Sequence, residues 1–406
     1  MPGTPLKAIC YVLNYFPEPS LTFISDEAAS LMHLDITPYV LTFNHGLERS
    51  VLQPSARKII DQGLFRKIVI PSKARTLRAI PQLALRNPRK TFFCCMRILK
   101  SKDRWHYMSS APYALFLQDH GVQYIHTHFA DENLKWTKAL SEWTGLPFGV
   151  TTHGYDLRED PMPAGEVSKL LFQANLVVAI SGYNQDLMVK KYGIAKDAIK
   201  TIHCGIDTQA FRRSDKTERF VGNHLRIVNI GRLVPEKAQD VLFQALAAVK
   251  KRGVQFDLQI VGAGPLLDQL KELARSLDII DHIDFLGAQP QDVVIKVLRE
   301  ADVFVLSSRN EGLPVVCMEA MAMEVFLIAT NISGIPELVQ HGQNGLLVEP
   351  ENVQELADAI LWVDKNRKLL EGMCFAARKK VEEEFDRKKC TRSLALEIEQ
   401  CLVTQK

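Results

Sequence analysis

The sequence predicts an α/β protein with two doubly wound domains, each a parallel sheet with helices on both faces. Three observations carry this expectation. Short apolar runs rich in Val, Ile and Phe alternate with segments of helical period along the 406 residues, and strand and helix in alternation build parallel sheets. The runs fall into two sets separated by a polar, charged stretch, 205–223. At roughly 100 to 200 residues per domain, the length suits two or three domains.

In chain order, the first set of strands is expected at 8–13, 37–43, 122–127, 148–152, 176–180 and 199–203. The second is expected at 225–230, 256–261, 283–286, 303–306, 325–329 and 346–348, with helical patterns such as 240–250 and 265–277 between them. Residues 1–205 then form one domain, 206–223 a linker and 224–380 a second domain. The segment 381–406 belongs to neither sheet, and the helical pattern at 381–402 is expected to cross back to the first domain. Two such domains should face each other across a cleft, with strand carboxyl ends and helix N-termini directed into it.

Composition narrows the function. Fifty Lys and Arg against 47 Asp and Glu give a net charge of +3, with 47% hydrophobic and 24% charged residues. A chain of this kind buries a large core, which excludes disorder, collagen and a small disulfide scaffold, and the charge balance gives no reason to expect a nucleic-acid partner. The apolar run 313–329 is broken by Glu319 and Glu324, short of the roughly 20 apolar residues a membrane span needs. Residues 1–13 lack a charged segment followed by a cleavage site. The eight cysteines are scattered with no C-x-x-C pair, so they are expected to be reduced and buried, as in the cytosol. Charge is nevertheless segregated: 57–104 holds 14 basic residues against Asp61 and Asp103.

Several constellations could carry chemistry. A second-domain strand runs into Gly231-Arg232-Leu233-Val234-Pro235-Glu236-Lys237; cations five residues apart at a strand's carboxyl end can both reach a diphosphate, or can be two surface charges at a helix start. Glu311-Gly312-Leu313-Pro314 opens a helix that carries Glu319. Pro314 suits its first turn, where free N–H groups attract anions. Helical rise separates the two carboxylates by about 12 Å, too far for a glycosidase pair acting across one bond, so hydroxyl recognition is the more natural use. His153 follows a strand in Thr152-His153-Gly154-Tyr155-Asp156, and His126 and His128 alternate on one strand face; two histidines without a third ligand are weak evidence for metal. The G-x-G at Gly262-Ala263-Gly264, with Asp284 further on, is the best case for a nicotinamide dehydrogenase. However, Leu267 stands at the third glycine position and the motif follows the wrong strand. There is no Asp-x-Asp, G-x-S-x-G or P-loop.

Taken together, Gly231-Arg232 with Lys237, Glu311-Gly312-Leu313-Pro314-Val315 to Glu319-Ala320, Gly334-Ile335-Pro336-Glu337 and Asn344-Gly345-Leu346-Leu347-Val348 closely resemble the family 4 retaining glycosyltransferases. That family has the GT-B fold, two Rossmann-like domains facing across a cleft. Phe16-Pro17-Glu18-Pro19-Ser20-Leu21-Thr22-Phe23, His126-Thr127-His128-Phe129-Ala130 and the His153 motif resemble its exopolysaccharide branch, typified by colanic acid synthesis. The resemblance implies that Arg232 and Lys237 hold the donor diphosphate, that Glu311 binds a donor-sugar hydroxyl, and that Glu319 binds the ribose. It places His153 by the donor sugar as a catalytic group together with Arg232, Lys237 and Glu311. Gly231, Gly287, Ala288, Gly312, Leu313, Pro314 and Val315 complete the donor site, and Ser20, Thr22, His128 and Asp156 lie on the acceptor side. The implied donor is a UDP- or GDP-linked hexose, the acceptor a saccharide or lipid-linked saccharide, and the route a same-face displacement without metal or other cofactor. Where the family usually has Gly and then Pro, this chain has Glu324 and Phe326.

A nicotinamide oxidoreductase and a degenerate, non-catalytic membrane-associated scaffold remain as alternatives; the intact Arg232, Lys237 and Glu311 weigh against the scaffold. The basic stretch 57–104 is interleaved with apolar residues at near-helical spacing. It can lie on an anionic membrane surface or pack its apolar side onto the first domain. On the first reading the protein is cytoplasmic and peripheral on the inner face of the plasma membrane.

Overall fold

The computed structural model describes residues 5–18, 21–44, 53–69, 71–100, 104–159, 162–213, 220 and 222–404. The chain divides into two compact units, residues 1–203 with 388–406, and residues 204–387.

The first unit is built on strands β1 (Ala8–Tyr15), β2 (Thr37–Asn44), β3 (Phe65–Lys67), β4 (Tyr124–His128), β5 (Phe148–Thr152), β6 (Leu176–Ala179) and β7 (Ile199–Thr201), paired in the order β3-β2-β1-β4-β5-β6-β7. All are parallel. Alternation along β1 splits the core between the two faces. Cys10 and Val12 join Leu41, Ile125, Val150 and Val177 on one side. Ile9, Tyr11 and Leu13 join Val40, Tyr124 and Val178 on the other, under Ile24, Ala28 and Leu31 of the helix Thr22–Leu31. Strands β4, β5 and β6 are buried throughout, as the inner strands of a sheet covered on both faces must be. Strand β3 lies at an edge and is Phe-Arg-Lys, so no apolar run announces it.

The second unit holds β8 (His224–Ile230), β9 (Gln255–Val261), β10 (Ile283–Gly287), β11 (Val303–Leu306), β12 (Phe326–Thr330) and β13 (Leu346–Val348). Their order is β10-β9-β8-β11-β12-β13, again all parallel. Helix Gln239–Lys251 buries eight of its side chains, among them Val241, Leu242, Phe243 and Leu246.

The division differs from the expected boundaries in two places. The described part of 206–223 is no free linker: Ile206, Phe211 and Phe220 are buried, and Ile206 pairs with Asp386 at the other end of the second unit. The helical pattern at 381–402 is two helices, Arg367–Glu384 and Arg387–Thr404. Between them the Thr208 hydroxyl donates to Asp386 at 2.6 Å and Ile206 N donates to the Phe385 carbonyl at 2.9 Å. The first helix therefore stays with the second unit, while Leu394, Ala395 and Ile398 of the other enter the first unit's core.

Glu324 lies in a tight turn ahead of β12 with φ of +56°, a left-handed conformation that L side chains resist and glycine adopts freely. Its carboxylate is flanked by Arg213 at 3.8 Å and Arg378 at 3.9 Å, which offset the strain. Phe326 opens β12 and is buried in the core.

Candidate active site

In the second unit the strand order reverses between β8 and β11, and the segments leaving their carboxyl ends bring the charged candidates together. The loop 231–238 leaves β8. Its Lys237 ammonium donates to Glu311 Oε1 at 2.6 Å, and the Ser308 hydroxyl donates to the same oxygen at 2.7 Å. Glu311 is buried and Lys237 half-buried. The lysine is fixed from behind: Ser307 Oγ donates to the Ala238 carbonyl at 2.8 Å, and Lys237 N donates to Val234 O at 3.0 Å. The Arg309 guanidinium binds Asp240, Glu351 and the Pro235 carbonyl, which clamps the loops after β8 and β11 together.

Arg232 is exposed on the same loop, with its carbonyl receiving the Gln239 amide at 3.2 Å. The G-x-G has a packing role against this loop. Gly231 N donates to Val261 O at 2.9 Å and Leu233 N to Ala263 O at 3.0 Å. A Cβ at Gly262 would lie 1.8 Å from the Gly231 carbonyl oxygen, and one at Gly264 would lie 2.3 Å from that of Leu233. The glycines thus let two backbones touch, which accounts for them without a dinucleotide.

Gly287 closes β10 and its carbonyl accepts from Gly262 N at 2.8 Å; Ala288 follows it, exposed. Pro314 caps the helix Val315–Ala322 rather than sitting inside its first turn. The first amides of that helix, including Val315, have no acceptor within the helix. Leu313 is buried, the Gly312 carbonyl accepts from Gly334 N at 3.2 Å, and Glu319 is half-buried inside the helix.

The first unit reverses its strand order between β1 and β4, and there the histidines assemble. His128 Nδ1 lies 2.8 Å from His153 Nε2, and His128 Nε2 lies 3.2 Å from Glu27 Oε1, which also accepts from the Tyr11 hydroxyl at 2.7 Å. Phe23 and Phe129 pack on the His153 ring at 4.7 and 4.6 Å. Burial pushes His153 well below its ordinary pKa and lowers His126 to about 3, so both are neutral. Burial would raise Glu27, but His128 beside it and the Tyr11 hydroxyl draw it below the ordinary value. Glu27, His128 and His153 thus form one continuous hydrogen-bonded chain.

Asp156 is buried, and its oxygens accept from the amides of His153 (2.9 Å), Gly154 (3.0 Å) and Ala130 (2.8 Å). Its carboxylate is held by backbone, so it acts on the site by positioning the His153 loop. Thr22 begins the helix that carries Glu27 and is half-buried; Ser20 lies outside the described residues. Among the described residues, no group of three or more His, Cys, Asp or Glu is arranged to hold a metal.

Three contributors escaped the sequence reading. Ser308 and Arg309 follow β11 and could have been found as polar residues at a strand's carboxyl end. Glu27 is a single carboxylate on a helix whose partners, Tyr11 and His128, come from separate strands, so no local pattern marks it.

A family model described as "Glycosyl transferases group 1" matches residues 211–380, and one described as "Glycosyltransferase Family 4" matches residues 92–210. The chain belongs to glycosyltransferase family 4. Among its curated relatives is a GDP-mannose-dependent alpha-(1-6)-phosphatidylinositol monomannoside mannosyltransferase of Mycobacterium tuberculosis, 32% identical over 55% of this chain and 62% of that one. The amylovoran biosynthesis glycosyltransferase AmsK of Erwinia amylovora is 32% identical over 56% of each. A putative colanic acid biosynthesis glycosyltransferase WcaL of Salmonella typhimurium is 32% identical over 57% and 58%. The chain thus matches about three-fifths of the length of these relatives. Among solved structures, a glycosyltransferase from Rickettsia africae superposes with a TM-score of 0.77 at 20% identity, over 99% of this chain and 100% of that one. Anabaena Alr3699/HepE in complex with UDP superposes with a TM-score of 0.74 at 19% identity, over 96% and 98%. The fold of this family 4 glycosyltransferase is GT-B.

Proposed function

We propose that the protein is a retaining hexosyltransferase, which moves a sugar from a nucleotide donor to a saccharide or lipid-linked saccharide in polysaccharide or glycolipid synthesis. The observation that carries this is the Lys237–Glu311–Ser308 cluster beside Arg232 where the strand order reverses. It offers a fixed ammonium, with Arg232 exposed on the same loop, for a diphosphate and a buried carboxylate for a sugar hydroxyl. The donor C1–O bond breaks, Arg232 and Lys237 take up the charge on the departing diphosphate, and the acceptor oxygen bonds C1 on the same face. The acceptor proton passes to a phosphate oxygen. The family resemblance assigns His153 to the donor sugar, and within its own unit His153 is neutral and held in place by His128 and Asp156; Glu319 is assigned the ribose. The relatives' names, a GDP-mannose-dependent enzyme and exopolysaccharide enzymes, and the UDP complex of HepE support a UDP- or GDP-linked donor.

The test is hydrolysis and transfer with a panel of UDP-, GDP- and ADP-sugars. A UDP- or GDP-hexose is expected to turn over with retained anomeric configuration; inverted product, or turnover of none, overturns the reading. The two cations supply the compensation that a bound metal supplies elsewhere, so activity is expected to survive EDTA. Loss on chelation with rescue by Mn²⁺ would refute that part.

The site of action we infer is the cytoplasmic face of a membrane, held peripherally. No helix among the described residues is long and apolar enough to cross one. The interleaved apolar residues of 57–104 divide: Leu83 and Ile98 are buried in the first unit's core, while Phe92 and Phe93 are 61% and 70% exposed. Half of the large apolar side chains exposed among the described residues lie between Val69 and Trp105. Replacing Phe92 and Phe93 by Ser is expected to lower sedimentation with anionic vesicles, and unchanged sedimentation would remove this role.

A further inference from the structure

A cavity of about 530 Å³ opens at the β3 edge of the first unit, away from the strands that carry the histidines. It lies among strand β3, the helix Lys73–Arg86 and the helix Arg104–Asp119. Three arginines line it: Arg66 from β3, and Arg75 and Arg78 one helical turn apart. None has a carboxylate partner among the described residues. The cavity's one acidic residue, Asp119, is taken by Arg86 at 2.6 Å. Arg66 is held with its guanidinium 4.8 Å above the Phe116 ring, a contact that fixes its place without consuming its N–H donors. Gln82 and Ser72 add polar groups to the rim, and Pro112, Leu115 and Phe116 form an apolar wall.

The volume falls in the range of small-ligand sites. Arginine is the side chain suited to paired N–H bonds with phosphate oxygens, and three exposed guanidinium groups without a carboxylate partner among the described residues line this one cavity. We propose that this cavity binds a phosphate-bearing anion of small size through Arg66, Arg75 and Arg78. The apolar wall suits the carbon skeleton of an ester better than bare inorganic phosphate. Two sources present that chemistry, a soluble phosphate ester and the phosphodiester headgroup of an anionic lipid. This site is separate from the diphosphate loop of the second unit and is not needed for the proposed transfer.

The full chain is titrated with glycerol 1-phosphate and with inorganic phosphate by calorimetry, and floated with vesicles of phosphatidylcholine alone or mixed equally with phosphatidylglycerol. The doubly substituted Arg75→Gln, Arg78→Gln protein is compared with Lys251→Gln, Arg275→Gln, which removes the same charge from exposed positions outside the cavity and outside 57–104. The expected result is an affinity loss of about tenfold or more in the cavity variant for whichever probe the wild type binds, with the control within about twofold. Binding of glycerol 1-phosphate assigns the soluble source. Binding to the mixed vesicles alone, lost in the cavity variant, assigns the headgroup. Equal loss in both variants would show diffuse surface charge and overturn the proposal, as would failure of the wild type to bind any probe. Should the helix not tolerate the double change, Arg66→Gln on the strand is expected to reproduce the loss. No probe carries a nucleotide, so the outcome is independent of sugar transfer.

Discussion

Lys237 reaches Glu311 because a strand end, a left-handed residue and a serine hydroxyl leave it nowhere else to go. Ala238, at φ of +48°, turns the chain behind it, and Ser307 ties down the Ala238 carbonyl. Fixed cations facing charge that develops in a reaction are each worth about 3 to 4 kcal/mol. Lys237→Ala and Arg232→Ala are therefore expected to lower kcat by two to three orders of magnitude, by that same estimate, with the melting temperature little changed. Near-normal steady-state turnover in both would remove the diphosphate assignment. Glu311→Gln is expected to slow turnover more than it weakens binding of free nucleoside diphosphate, and Glu319→Gln the reverse. Calorimetry with UDP and GDP separates them, and equal losses would merge the two roles. The histidine cluster makes a prediction about pH. His126 and His153 are neutral when folded, with His126 near 3, whereas unfolded histidine titrates near 6.5. Below that value the unfolded chain binds protons the folded chain refuses, so stability falls as pH drops, by about 1.4 kcal/mol per pH unit for each such histidine. Denaturant titration of the first unit between pH 6.5 and 4.5 reads this slope directly. His126→Gln is expected to make it shallower, and a slope that does not change would show that His126 is not held neutral.

At the scale of elements, backbone proximity explains what side chains do not. Strands β8 and β9 exit side by side, and their loops touch through Gly262, whose Cα faces the Gly231 carbonyl. Gly262→Ala would place a methyl where that oxygen sits, at a φ of +149° that alanine resists. The β8 loop must then shift, and with it both cations. The expected outcome is loss of nucleotide binding out of proportion to loss of stability, checked by calorimetry beside thermal melting; intact binding would show that the loop does not rely on this contact. The same scale shows what the sequence made legible. Twelve of the thirteen described strands fall where the sequence predicts them, and the nine inner ones read as largely apolar because inner strands of covered parallel sheets are buried on both faces. Strand β3 could not be seen in Phe65-Arg66-Lys67, since an edge strand gains its place from backbone pairing with β2. The segment 206–213 looked like a linker because its polar residues outnumber Ile206 and Phe211, yet those two anchor it. Lys237 and Glu311 were readable because they follow strand ends at fixed spacing. Glu27 was not, because its meaning comes from two strands distant in sequence.

For the whole molecule, the second unit is an insertion. Residues 204–387 interrupt a first unit that resumes at Lys388, and the insertion's two ends are hydrogen-bonded to each other, Ile206 N to Phe385 O at 2.9 Å and Arg387 N to Ile206 O at 2.8 Å. Deleting residues 388–406 would strip Leu394, Ala395 and Ile398 from beneath the first unit's sheet, where burial of each larger aliphatic side chain is worth about 1.5 to 3 kcal/mol. Calorimetry of the truncated protein is expected to show an early transition for the first unit and an unchanged one for the second. Coincident loss of both would show that the units do not melt separately. The consequence reaches into synthesis on the ribosome. The inserted unit has all its strands and both joined ends once Arg387 has been added, before the residues that complete the first unit's core. The first unit begins earlier and finishes later: the core on the Ile9 and Tyr11 face, started by the helix Thr22–Leu31, is completed only when Leu394, Ala395 and Ile398 join it.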